Sequence, residues 1–278
     1  ETARVAARFI KEDVQTIIFS RARSTTELLL GYVRDQAIRQ GVDESVIRGY
    51  RGGYLPSERR EIEHGLRTGT VRAVVATNAL EVGIDIGQLG TAVIAGYPGT
   101  IASLWQQAGR AGRRSDVSAV VFVASASPLD QYIVLHPRYI FESSPEHGLI
   151  NPENLAILVN HLRCALFELP FATGDSFGGI QHLEEILHIL ADHGEVHISA
   201  HTARWIGESY PAADISLRTT RTDNVLIQDV SESNPRIIGE ADMEAAPMLC
   251  HSGAIYMHEG RQYLVDNLDW EDQAAYVR

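Results

Sequence analysis

Residues 1–125 alternate short, continuous apolar runs with amphipathic stretches. The runs are Thr16–Ser20, Ser45–Tyr50, Ala73–Thr77, Thr91–Gly96 and Ser118–Ala124. Apolar residues at both parities suit strands buried on both faces of a parallel sheet. Between them, Ser24-Thr-Thr-Glu27 has the form of a capping box, followed by leucines and closed by Gly41. Pro56 opens a second helix that ends near Gly69. This alternation predicts a doubly wound α/β sheet, in which ligands gather at the carboxyl ends of the strands. Ser20, Arg21 and Arg23 follow the first such end, and Thr77 and Asn78 follow the third.

The pattern changes after residue 125. Residues 126–150 are rich in Pro, Ser and His and read as a linker. Leu155, Leu158, Val159, Leu162 and Leu166 predict a helix that ends before Pro170. Further helices are expected over Gln181–His193 and His201–Glu208, with a wing of strands at 214–218 and 224–229. Ala254–Met257 and Gln262–Asp266 alternate around His258-Glu-Gly-Arg261 and predict a hairpin. The expected domains are 1–145, a winged-helix-like α/β module over 146–235, and a small β unit over 236–278.

Composition narrows the function classes. At 278 residues the chain suits two domains or more. It contains no apolar run of the ~18 residues a membrane span needs, so no membrane partner is expected. Two distant cysteines, Cys164 and Cys250, argue against a thiolate metal site and favour a reducing cytoplasm. Residues 1–125 carry 16 basic and 13 acidic residues, while the remainder carries 8 and 23. Lys11 is the only lysine, so the basic half is nearly all arginine, whose guanidinium fork binds phosphates bidentately. An acidic second half is a poor general nucleic-acid surface, which directs the search for function to the first half.

The sharpest segment there is Gln106-Gln-Ala-Gly-Arg-Ala-Gly-Arg-Arg114. Arg110 and Arg113 at i and i+3 on one helix face would converge on a triphosphate and neutralise charge on its outermost phosphate, the arginine-finger role. A solvated basic helix end has the same pattern. Trp105 suits either stacking on a base or packing beneath the helix. His193, His197 and His201 recur every fourth residue, but Gly194 interrupts the helix that would make them a metal face, and no metal site is expected.

Read with its neighbours, Arg51–Gly69, Ala76–Gly87 and Gly96–Arg114, the first half resembles the second RecA-like domain of a superfamily 2 helicase. Thr16–Arg23 resembles its motif IV, Val74–Gly87 motif V and Gln106–Arg113 motif VI, in order. The wording is similar to the YprA-like DNA helicases, the group that includes mitomycin repair factor A and the Hrq-type relatives of RecQ4. Residues 161–171 and 253–269 resemble the same group's downstream region, so the likeness covers nearly the whole chain.

That resemblance implies a RecA-like parallel sheet flanked by helices, followed by the two smaller modules. It implies Arg110 and Arg113 as the fingers, with Gln106 linking the phosphate region to the partner domain. Gly83 and Asp85 would contact the nucleotide's ribose. Thr77, Asn78, Ser20, Arg21, Arg23, Arg51 and Gly52 would grip nucleic-acid phosphates, which position a strand without reading its sequence. The chain contains no GxxxxGK[ST] and no DExH string. ATP and Mg2+ would therefore be held mainly by a first RecA-like domain outside this segment, and the segment alone is expected to be inactive as an ATPase. The expected function is the motor half of a 3′-to-5′ DNA helicase acting on single-stranded DNA in repair. An RNA remodeller and a non-catalytic nucleic-acid-binding module are the alternatives.

Overall fold

The computed structural model describes residues 1–82, 86, 89–112, 117–151, 154–180, 182–215 and 224–278. They form two compact units, Glu1–His147 with Asn224–Arg278, and Gly148–Asp223.

The first unit opens with a helix the apolar runs did not announce, α1 (Thr2–Lys11), which buries Ala3, Ala6, Ala7 and Ile10. There follow β1 (Thr16–Phe19), α2 (Arg23–Ile38), β2 (Ile47–Tyr50), α3 (Pro56–Thr68), β3 (Ala73–Ala76), β4 (Thr91–Ala95), α4 (Ile101–Ala108) and β5 (Ala119–Val123). The five strands form one parallel sheet in the order β2-β3-β1-β4-β5. This is the α/β arrangement expected from the strand–helix alternation.

Alternate residues of each strand feed two cores. Ile17, Phe19, Val74, Ala76, Ala92 and Ile94 pack with Ile62 and Leu66 of α3 and Ile101 and Leu104 of α4. Ile18, Val75 and Val93 pack with Ile10 of α1 and Leu29, Leu30 and Val33 of α2. Both faces are covered, which is why these strands read as unbroken apolar runs. Ser45 falls in a short 3-10 turn over Glu44–Val46, and β2 starts after it.

The expected linker is helical instead: α5 (Pro128–Leu135) and α6 (Arg138–Glu142). Pro128 occupies the first turn of α5, where its missing N–H does no harm, and Ile133 and Ile140 reach the core. Asp130 on α5 is fully buried and accepts from the N–H groups of Tyr97 (3.1 Å) and Ser125 (2.7 Å). It thereby clamps the chain where β4 and β5 end.

The second unit holds α7 (Leu155–Glu168), β6 (Phe171–Ala172), α8 (Leu183–Asp192), β7 (Val196–Ile198) and β8 (Thr202–Trp205). Its sheet runs β6-β8-β7. The helix expected over 201–208 is thus strand β8, because Gly194 at φ 74 ends α8 and the chain turns back on itself as β7 and β8. Of the wing strand expected over 214–218, residues 216–218 lie outside the described residues.

The chain then returns to the first unit with β9 (Asn224–Asp229), β10 (Arg236–Asp242), α9 (Ala246–Leu249), β11 (Ile255–His258), β12 (Arg261–Asp269) and β13 (Ala274–Val277). These strands form a sheet in the order β10-β9-β13-β12-β11. The 224–229 strand therefore belongs here and not to a wing, and the division falls before Asn224 rather than after 235. It pairs with β10 and β13, and Val225 and Ile227 bury in this sheet's own core. The expected hairpin is present, with Glu259 and Gly260 at φ 50 and 78 in its two-residue turn.

Burial alone would raise the Asp130 carboxyl, but the Ser125 hydrogen bonds, the Tyr97 N–H and nearby Arg21 outweigh it and hold it below the ordinary 3.8. Asp130→Asn replaces one acceptor with a donor facing an N–H, a loss of about 1–3 kcal/mol in urea unfolding. The wild-type advantage is complete above pH 3.8 and fades as pH falls through the lower folded-state value. A variant equal to wild type at neutral pH contradicts the clamp.

Candidate functional site

The carboxyl ends of β1, β2 and β3 place Ser20 and Arg21, Arg51 and Gly52, and Thr77 and Asn78 along one edge of the parallel sheet. The topology brings these sequence-selected residues to one edge, but their side chains divide into two groups. Arg21, Arg23 and Asn78 are exposed. Arg23 makes a loose ion pair with Asp242 (3.6 Å) and lies across Gly52. These three can meet a phosphate directly.

Ser20, Thr77 and Arg51 turn inward. Ser20 is buried and shares a 2.7 Å hydrogen bond between its Oγ and Thr26 Oγ1. Thr77 is buried, and its Oγ1 accepts from the Ala79 N–H (3.4 Å), capping a 3-10 turn over Asn78–Leu80. Arg51 is 3% exposed, so it is not a surface phosphate ligand. Its Nε donates to Glu27 Oε1 (2.7 Å), and its Nη2 donates to the Met257 carbonyl (2.6 Å). Glu27 in turn is not the capping residue its spacing suggested: α2 has no side-chain cap. Its carboxylate pairs instead with the buried Arg51 guanidinium. Burial and the Glu27 carboxylate push the neighbouring Tyr54 phenol up, so it remains a neutral donor to Glu27 Oε1 (2.8 Å).

A second cluster lies at the end of α4. Arg110 stands two residues past the last turn of that helix and not on its face. Its Nε and Nη2 both donate to the Glu81 carbonyl, at 3.1 and 2.8 Å. Its own backbone is pinned because the Arg110 carbonyl accepts from Leu89 N–H (3.2 Å) and Leu89 pairs with Ala111. The Glu81 side chain accepts from Ser103 Oγ (2.6 Å) and Gln107 Nε2 (3.0 Å) on α4. One glutamate therefore holds the arginine through its main chain and the helix through its side chain.

The start of α4 is fixed as firmly. Thr100 Oγ1 accepts from Ser103 N–H (3.0 Å), and the Glu146 carboxylate accepts from the N–H groups of Ile101 (2.7 Å) and Ala102 (3.1 Å). Those backbone donors hold the Glu146 carboxyl below its usual range.

Gln106 is exposed beside this cluster, whereas its neighbour Gln107 is buried. Gly83, Asp85 and Arg113 lie outside the described residues. Trp105 neither lies beneath the helix nor stands clear of the protein. It is 45% exposed and packs edge-on against Phe141 at 5.7 Å. His193 ends α8, His197 lies in β7 and His201 precedes β8. Sequence alone assigns no such role to Glu81, Gln107 or Glu146, and points to Glu27 only as a helix cap. Glu81 lies inside Ala76–Gly87 and Gln107 inside Gln106–Arg113, the stretches that carry the motif V and motif VI likenesses.

Residues 2–115 match the helicase conserved C-terminal domain. An uncharacterised ATP-dependent helicase of Bacillus subtilis, YprA, is 51% identical over the whole chain, which spans 37% of that protein. The ATP-dependent helicase HRQ1 of Saccharomyces cerevisiae is 35% identical over the whole chain, which spans 26% of it. The crystal structure of the DUF1998 helicase MrfA bound to DNA and AMPPNP superposes with a TM-score of 0.81 at 51% identity, covering all of this chain and 39% of that one. The chain is a segment of a YprA-like superfamily 2 helicase, with the helicase C-terminal domain at its N-terminal end and additional modules after it.

Proposed function

We propose that this segment is the motor half of an ATP-dependent helicase that moves 3′-to-5′ along single-stranded DNA and serves DNA repair. One observation carries the reading. The short stretch Thr77–Glu81 begins at the proposed phosphate grip and ends at the carbonyl that holds Arg110. A change in either place has a path of five residues to the other. The DNA and AMPPNP in the related MrfA structure support both ligand classes.

The residues present fit one side of a nucleotide site. Arg110 is a cation fixed by two bonds to a carbonyl and by its pinned backbone, which suits a group whose charge grows during reaction. ATP with its magnesium, when bound, supplies the phosphoanhydride whose hydrolysis drives the motor. Arg110, and Arg113 with it, neutralises charge at the outermost phosphate. Gln106 links that region to a first RecA-like domain elsewhere in the protein. Gly83 and Asp85 would contact the ribose. Arg21, Arg23 and Asn78 hold strand phosphates directly, and Ser20 and Thr77 shape the loops that present them. Without a phosphate-cradling lysine loop, the segment alone turns over no ATP.

The direct test is ATP turnover by the full-length protein alone, with single-stranded DNA and with RNA of the same sequence. Stimulation by DNA and not by RNA is expected, and stimulation by RNA alone or by neither contradicts the reading. In the full-length protein Arg110→Ala lowers turnover by about 10³-fold or more, the scale of arginine fingers elsewhere. Its affinity for single-stranded DNA, read by fluorescence anisotropy, stays near wild type, and unchanged turnover removes the finger assignment. Thr77→Ala uncaps the 3-10 turn and is expected to weaken DNA affinity and blunt its stimulation. A Thr77→Ala protein with normal stimulation places the grip elsewhere.

A further inference from the structure

The buried pair Arg51–Glu27 is satisfied in part by the C-terminal sheet. Glu27 Oε1 accepts from Arg51 Nε (2.7 Å) and the Tyr54 hydroxyl (2.8 Å), while Glu27 Oε2 accepts from Gly260 N–H (2.8 Å). Arg51 Nη2 donates to the Met257 carbonyl (2.6 Å) and the Tyr256 hydroxyl (3.3 Å). Its guanidinium also lies over the rings of Tyr54 (4.8 Å) and Tyr256 (5.5 Å). The tip of the β11–β12 hairpin thus supplies donors and acceptors that two nearly inaccessible charges require.

The same arginine fixes the turn that follows β2. Arg51 Nη1 donates to the Gly52 carbonyl (3.1 Å), and the Gly53 carbonyl accepts from Glu240 N–H on β10 (2.9 Å). Gly53 has φ +98, and a Cβ there would stand 2.8 Å from the Glu240 carbonyl oxygen, so only glycine allows this approach. One residue before Arg51, the Tyr50 carbonyl accepts from Thr77 N–H (3.2 Å). A shift of Arg51 therefore reaches Gly52 beneath Arg23 on one side and the Thr77–Asn78 loop on the other.

We propose that Arg51 is a positioning residue through which the β11–β12 hairpin sets the grip of the strand-end edge on single-stranded DNA. The proposal rests on the function given above. Arg51, buried, does not reach the surface where a nucleic-acid strand would lie. It holds the turn and loop from which Arg23 and Asn78 reach one. A lysine keeps the charge but cannot bond Glu27, the Gly52 carbonyl and the Met257 carbonyl in one planar arrangement.

Glu259, in the same hairpin turn, provides the control. Its carboxylate anchors the hairpin through Arg34 (2.6 Å) and Arg48 (3.2 Å), while its backbone N–H, kept in a glutamine variant, donates to the Tyr54 hydroxyl of the 51–54 turn (3.3 Å). The test measures ATP turnover of the full-length protein against the concentration of a single-stranded oligodeoxythymidine. Arg51→Lys is expected to raise the DNA concentration for half-maximal stimulation at least five-fold, with turnover at saturating DNA within two-fold of wild type. Tyr256→Phe, which removes a single bond to Arg51, shifts the same quantity in the same direction by a smaller factor. It serves if the lysine variant does not fold. Glu259→Gln lowers the melting temperature yet leaves half-saturation within two-fold. A stimulated wild type with neither Arg51→Lys nor Tyr256→Phe shifted overturns the proposal alone, as does an equal shift in Glu259→Gln. A wild type that no DNA stimulates overturns the underlying function as well.

Discussion

The first unit depends on one buried ion pair. Arg51 and Glu27 are 3% and 1% exposed, and they meet where β2 ends against α2. Two charges removed from water destabilise a fold unless each donor and acceptor finds a partner, and losing one member of such a pair typically costs about 3–5 kcal/mol. Here the partners come from two distant stretches of sequence, Gly52–Tyr54 and Tyr256–Gly260. The pair ties the C-terminal sheet to the parallel sheet through hydrogen bonds that both charges need. Arg34 and Arg48, both bonded to Glu259, extend the same seam along α2 and β2.

From that seam the functional edge follows. β2 delivers the Gly52–Gly53 turn, β3 delivers Thr77, and the hydrogen bond between Thr77 and the Tyr50 carbonyl joins them. Glu81 then transfers the position of that loop to Arg110 and α4, while Glu146 and Asp130 fix the far sides of α4 and of the β4 and β5 ends. The residues that hold these segments are mostly carboxylates bound to backbone N–H groups or to arginine. Glu27 and Asp130 do this from buried positions, and Glu146 from the surface.

What the sequence disclosed and what it hid have a common cause. The central strands were legible because burial on both faces leaves unbroken apolar runs such as Ile17–Phe19 and Val74–Ala76, too short for a helix. The hairpin around Glu259-Gly260 was legible from alternation alone. The roles of Glu27 and Arg51 were not, because each had a plausible local partner or exposed use, and the groups that complete the pair, on Tyr256, Met257 and Gly260, lie more than 200 residues away. Strand β8 was misread as a helix since a four-residue strand carries too little alternation to distinguish the two. Helices α5 and α6 were hidden by Pro128 and Pro137, which look like breakers but stand at helix starts. Arg110 was placed on the right segment, yet its support came from a carbonyl, a group that no motif spells out.

Joined through Arg51 and Glu27, the C-terminal sheet and the parallel sheet are expected to open as one cooperative body. Native-state hydrogen exchange measures this most directly, by comparing the opening free energies of amides in β12 and β13 with those in β1 and β3. The most protected amides of both sheets are expected to share one opening free energy, which falls together in Arg51→Lys. Exchange of β12 and β13 at a clearly lower free energy, with β1 and β3 unaffected, would contradict it.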